Sequence, residues 1–292
     1  MKTTKLSTPK QLLRLGASNP EIIEMYGALS GLIGTWSGNM GVNLIAVPDQ
    51  KGSFTLLVAP YYETITVTAL SSLTPNRGLT NIEFIPTLMY SLMIHNSLDN
   101  SLMHAENGIW ELLDGSKSND GYNIARIATV PHGDAVMALG KFSVINKRPP
   151  INRDLSAFPT GALPPGLGYT DVYGPQNEIV KGFKNAFPNL YLIDYLDVQE
   201  KKGQTIIKST NLVVNTANSG GINNIPSIDK NADAAAFESI FWIETVKDKN
   251  TGKIFQQLQY SQNTTIDFPV KGTPKGKTIH WPHINVNTLI KQ

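Results

Sequence analysis

The chain has 292 residues, 41% hydrophobic and 16% charged, with 25 basic side chains against 23 acidic ones for a formal charge of +2. At that length a fold buries about three quarters of its unfolded surface without staples, and the lack of any cysteine rules out disulfides, thiolate metal sites and a cysteine nucleophile. Lys and Arg are too dispersed for a nucleic-acid footprint, Met1 to Leu6 has no apolar signal core, and no run approaches the ~18 apolar residues of a membrane span, so a cytoplasmic protein is expected.

After a tail at residues 1–18, Asn19 can cap a helix, Pro20 suits its first position and Glu21 its first turn. Ile22, Ile23, Met25, Tyr26, Leu29 and Leu32 supply an apolar stripe that Gly31 and Gly34 terminate. Strands are then predicted at Trp36 to Val47, Ser53 to Val58 and Tyr61 to Leu70. The last places Tyr61, Glu63, Ile65, Val67 and Ala69 on one face and Tyr62, Thr64, Thr66 and Thr68 on the other. More follow at Ile82 to His95, Met103 to Leu113, Tyr122 to Val130 and Ala135 to Val144, with Gly, Asn and Asp between them and nothing suited to a parallel crossover. Such a meander of about eight to ten strands closes into a barrel around a cavity.

Between about residues 147 and 236 the texture changes: Pro149, Pro150, Pro159, Pro164 and Pro165 crowd among glycines. A short helix is expected at Gln176 to Ala186, a hairpin of Leu190 to Val198 with Gln204 to Val214, and a loop from Asn215 to Asp233. Phe237 to Val246 and Lys253 to Asn263 form a further hairpin through Asp248 to Gly252. The expectation is an all-β fold: a closed antiparallel up-and-down barrel spanning 19–292, with a short N-terminal helix and an irregular insertion at about 147–236 that contains a hairpin.

Three segments, in order, carry a family resemblance. Gly34-Thr35-Trp36-Ser37-Gly38 follows the apolar helix, Met103-His104-Ala105-Glu106-Asn107-Gly108 starts a strand, and Trp281-Pro282-His283 lies near the C-terminus. Together they make the chain resemble the nitrobindin-like heme-binding barrels, related to lipocalin-like and fatty-acid-binding-protein-like folds, over about residues 25–145 and 237–292. Ser37, Met40 and Glu111 depart from the pattern, standing where the family usually has Arg, Gly and Arg.

The resemblance implies heme b, with His283 as its axial metal ligand and His104, Met103 and Trp36 as further cofactor-binding residues, Trp36 closing the end of the barrel. It also implies nitric oxide binding, or peroxynitrite isomerase or peroxidase-like activity, at a ferric iron. The residues themselves leave other readings open. His283 can be a packing histidine on either a helix or a strand, since Pro282 favours the first and the alternation of Ile284, Val286 and Thr288 the second. His280 is a possible substitute. His104 and Glu106, about 6.5–7 Å apart at Cα on one strand face, form either a structural pair or an acid/base dyad. His132 in a turn reads as a rim contact and His95 as structural, while Tyr61, Tyr62, Trp110 and Trp242 read as wall. The alternative function is a heme-free barrel that holds an apolar small molecule such as a fatty acid; a weaker one has the insertion filling the cavity.

Overall fold

The computed structural model of the protein describes residues 20–48, 54–70, 72–117, 120–163, 169–174, 179–268 and 277–292. Its strands are β1 (Gly34–Pro48), β2 (Phe54–Ala69), β3 (Thr74–Arg77), β4 (Ile82–Ile85), β5 (Thr87–Asn96), β6 (Leu102–Leu112) and β7 (Ile124–Val130). They continue as β8 (Asp134–Ile145), β9 (Thr160–Gly161), β10 (Gln204–Asn224), β11 (Asp233–Asp248), β12 (Ile254–Phe268) and β13 (Ile279–Lys291). The helices are α1 (Pro20–Tyr26), α2 (Asn189–Lys201) and α3 (Pro226–Asp229).

Ten strands, in the order β1-β2-β5-β6-β7-β8-β10-β11-β12-β13, form an antiparallel sheet that closes because β1 also pairs with β13, Val42 lying opposite Val286. β3 and β4 form a separate hairpin, and β9 adds to β13 outside the ring. Alternation determines which side chains enter. On β2, Tyr61, Glu63, Ile65, Val67 and Ala69 are buried between exposed neighbours.

One end is plugged. α1 runs into a 3-10 turn at Gly27–Leu32, and Tyr26, Leu29 and Leu32 pack on Trp36, Leu88 and Trp110. The Tyr26 hydroxyl donates to Leu70 O at 2.7 Å, the Trp36 indole N–H to Leu32 O at 2.7 Å, and Lys291 Nζ to Gly31 O at 3.2 Å. The helix therefore gives way to a tighter turn before Gly34, whose φ of 129° starts β1. The expected Asn19 cap lies outside the described residues.

A second core lies on the outside of the wall. Leu44, Ile284, Val286 and Trp242 face outward and meet Leu192, Ile193 and Leu196 of α2 together with Tyr169 and Tyr173. Trp281 packs against Phe54 at 4.6 Å between ring centres. Because the plug and the outer core bury both faces of β11, it carries the unbroken run Ile240 to Ile243. The weaker reading, in which the insertion fills the barrel, is not what the described residues show: between β8 and β10 they pack on the outer wall.

Several expected elements differ. Ser53 to Val58 and Tyr61 to Leu70 are one long strand, β2, over its described residues. Ile82 to His95 is divided at Pro86 into β4 and β5. Leu190 to Val198 is helix, not strand. Its Leu192, Ile193, Leu196 and Gln199 recur at helical spacing and all face the barrel. The described part of Gln176 to Ala186 forms turns rather than a helix. Asn215 to Asn224 is not loop but continues β10 past an irregularity between Asn215 and Gly220, and Gly220 and Gly221 take φ of 97° and 152° there. β10 is a stave of the barrel, so the excursion outside the ring ends near Gly203 rather than at 236. No helix among the described residues is long and apolar enough to cross a membrane.

Candidate functional site

At the end of the barrel away from the plug is a cavity of about 410 Å³. Leu92, Ile94, Ala128, Val136, Ile222 and Phe237 give it apolar walls, and Ile228 and Ala232 of the β10–β11 connection border it. Polar side chains enter between the plug core and the cavity, from β2, β5, β6, β7, β11, β12 and β13.

Arg126 is the centre of the first polar group and is 1% exposed. Its Nη2 lies 2.7 Å from Glu106 Oε1, Nη1 donates to Ser239 Oγ at 3.0 Å and Gln262 Oε1 at 2.9 Å, and Nε donates to Tyr90 OH at 3.1 Å. The Tyr90 hydroxyl in turn bonds Glu106. The guanidinium lies 5.3 Å from the Phe241 ring centre and 5.4 Å from that of Phe237. Burial alone raises the Glu106 pKa, but Arg126 and the bonds from His104 and Tyr90 outweigh it and hold the carboxyl at about 2. Arg126 and Glu106 are thus a closed ion pair.

Glu63, 1% exposed, is the centre of the second group. Its Oε2 accepts from Tyr260 OH at 2.6 Å and Asn287 Nδ2 at 2.8 Å. The Asn287 amide is oriented by the Thr288 N–H, which donates to its Oδ1 at 2.8 Å. Since Tyr260 gives its proton to Glu63, the Tyr61 hydroxyl 2.7 Å away is the donor to Tyr260. No cationic side chain among the described residues pairs with Glu63. Burial dominates over these donors and pushes its pKa up to about 7.

Three histidines line the same cavity. The β5–β6 register shifts between Ile94 and His95, and at this bulge Met103, expected on the opposite face from His104, also reaches the cavity. His104 Nε2 lies 3.4 Å from Glu106 Oε2 and its Nδ1 3.1 Å from His132 Nε2. An ionised Glu106 accepts from the first nitrogen, so the second accepts from His132. His283 is on a strand, β13, and its Nε2 donates to Asn43 Oδ1 at 2.6 Å. Burial first, then the nearby His104 and His132, lower its pKa to about 4, so the ring is neutral at physiological pH.

Of the residues predicted from sequence, His283, His104 and Met103 meet in the cavity and His132 reaches its rim. Trp36 does not; it belongs to the plug, with Lys291 Nζ 5.0 Å from its ring centre. His280 is also elsewhere, bound through Nδ1 to Asp267 at 2.5 Å, and His95 stacks on Tyr62 outside the ring. Arg126, Glu63, Tyr90, Tyr260 and Gln262 were missed. The available signal was a charged residue in the inward phase of an apolar strand: Arg126 within Ile124 to Ala128, and Glu63 between Tyr61 and Ile65. Among the described residues, no group of three or more histidine, aspartate or glutamate side chains is placed to hold a metal ion.

No protein-family model matches the sequence, and no curated protein does. Among solved structures, the chain is similar to the one titled "Crystal Structure of Rv2717c from M. tuberculosis", at 15% identity and a TM-score of 0.44, over 93% of this chain and 97% of that one. That similarity is too slight to bear on the site, whose description rests on this chain's own residues. The protein is a ten-strand antiparallel β-barrel, plugged by a helix at one end and hollow towards the other.

Proposed function

We propose that the protein is a binding module that holds a small, largely apolar ligand in the hollow end of its barrel. The cavity carries this reading: about 410 Å³ of apolar-walled space with a few fixed polar groups at its base, within the range of small-molecule sites. Nile red, a neutral dye that fluoresces in apolar surroundings, is the test. Its emission should rise with the wild-type protein and fall to background with Ala128→Trp, which fills the cavity from β7, provided circular dichroism shows the variant folded. Undiminished binding by a folded Ala128→Trp protein refutes the reading.

A second reading, heme binding as the sequence resemblance implies, is favoured by the state of His283. A ligating imidazole is neutral and donates its other N–H to an acceptor, and His283 does so towards Asn43. With Nε2 on Asn43, iron would be held by Nδ1 or would displace that bond, and Met103 and His104 border the same space. Heme held there would supply a ferric iron for nitric oxide binding or peroxynitrite isomerisation. Hemin titration should give a Soret band that His283→Ala abolishes. Absence of the band in the wild type removes this reading, and a band that survives in the variant moves the ligand to His104.

A further inference from the structure

Glu63 and Glu106 both enter the barrel from its wall, are equally buried and line the same cavity, yet they are provided for differently. Glu106 has Arg126 at 2.7 Å. The hydrogen-bonding partners of Glu63 are donors: Tyr61 gives to Tyr260, and Tyr260 and the fixed Asn287 amide give to Oε2. Converging donors are arranged for a carboxylate rather than a carboxylic acid, but the counter-charge that a buried carboxylate needs is missing. Arg126 does not supply it, since its charge is offset by Glu106 and its donors on Nε and Nη1 are bound to Tyr90, Ser239 and Gln262. The other cavity side chains that can carry positive charge are His104, His132 and His283; their hydrogen bonds go to other residues, and of the three only His104 acts on Glu63, through its charge and without a direct bond.

We propose that the ligand supplies this charge, and that the cavity selects an apolar molecule bearing a protonated basic nitrogen, which pairs with Glu63 at the base. The inference rests on the reading of the cavity as a ligand site and specifies the ligand's class. Phe237, Phe241 and Tyr260 border the space and contribute apolar wall for the rest of the molecule. A carboxylate ligand has no free cation to meet, so fatty acids are the disfavoured class. Because burial pushes the carboxyl of Glu63 up to about 7, it must lose its proton on pairing, and amine affinity therefore rises with pH. Other ionisable groups face the cavity: His104 and Glu106 on β6, His132 and Asp134 at the β7–β8 turn, and His283 on β13. A Glu63→Gln variant keeps all of them and separates their effect from that of Glu63.

The experiment measures decylamine, decanol and decanoate binding by calorimetry below their aggregation concentrations, between pH 5 and 8. Decylamine should bind about ten-fold or more tightly than decanol at pH 8, with decanoate weakest, and should lose about a hundred-fold in affinity by pH 5. In Glu63→Gln, checked for folding by circular dichroism, the amine-to-alcohol ratio should fall to about one and the pH slope should vanish. Tyr260→Phe, which removes one donor to the carboxylate, should lower the same ratio by a smaller factor. Equal or tighter binding of decanol, a preference for decanoate, or an amine preference that survives Glu63→Gln overturns the proposal while leaving the cavity a binding site. If none of the three binds and none displaces Nile red, the binding-site reading fails and the proposal falls with it.

Discussion

Arg126→Met offers a direct test of whether the barrel depends on its internal ion pair. Methionine fills similar volume but leaves Glu106, 3% exposed, without a counter-charge. The depression of Glu106 from 4.5 to about 2 is a measure of what its surroundings contribute. At 1.36 kcal/mol per unit it amounts to about 3 kcal/mol, within the range of about 3–5 kcal/mol for breaking a buried pair from one side. A depressed folded-state pKa makes this stability fully present above the unfolded value of 4.5, and it is lost as pH falls towards 2. Urea unfolding at pH 7 should therefore show a loss of about 3 kcal/mol, and the gap between wild type and variant should narrow below about pH 4.5 as Glu106 takes up a proton. The double variant Glu106→Leu/Arg126→Met buries no charge and should recover most of the loss. A cost under about 0.5 kcal/mol at pH 7, or a double variant as unstable as the sum of its singles, refutes the argument.

Three further outcomes concern the wall and the chain packed outside it. A Cβ on Gly140 would sit 1.7 Å from Val213 O, where β8 pairs with β10, so Gly140→Ala should cost more than about 2 kcal/mol in urea unfolding. At Gly182 a Cβ meets nothing within 4 Å and only the φ of 84° resists it, so Gly182→Ala should cost about 1 kcal/mol. Glu244, buried under α2 with Gln257 on Oε2 at 2.5 Å and no partner for Oε1 among the described residues, is pushed by burial up to about 8. Its raised pKa means that wild-type stability falls as pH rises from 4.5 through 8. Glu244→Gln should remove that slope and be more stable than wild type by about 2–4 kcal/mol at pH 9, and parallel pH profiles of the two proteins would refute this.

Much of the barrel was legible because strand periodicity is local. The alternation from Tyr61 to Ala69 names the inward face of β2 before any partner strand is known, and the same pattern placed His104 beside Glu106. The errors fell where neighbours decide. Leu190 to Val198 is rich in residues that suit a strand, and only its docking of Leu192, Leu196 and Gln199 against the outer wall makes it helical. Asn215 to Asn224 has a loop's composition, yet it is held in the barrel by its pairing with β8.

The site divides along the same line. A short resemblance singled out His283, His104 and Met103, which line one cavity, although alternation alone put Met103 on the opposite face from His104. Trp36 lies in the plug and not at the cavity, and a strand's inward face does not by itself reveal at which height of the barrel a residue sits. The polar base was decided by the tertiary structure, since Glu63 and Glu106 look alike in sequence. Their difference arises from residues far along the chain: Arg126 meets Glu106 across 20 positions, whereas Tyr260 and Asn287 reach Glu63 across 197 and 224. A charge's partner is set by where strands close in space, and closure of a ten-strand ring is a long-range event that periodicity along one strand does not encode.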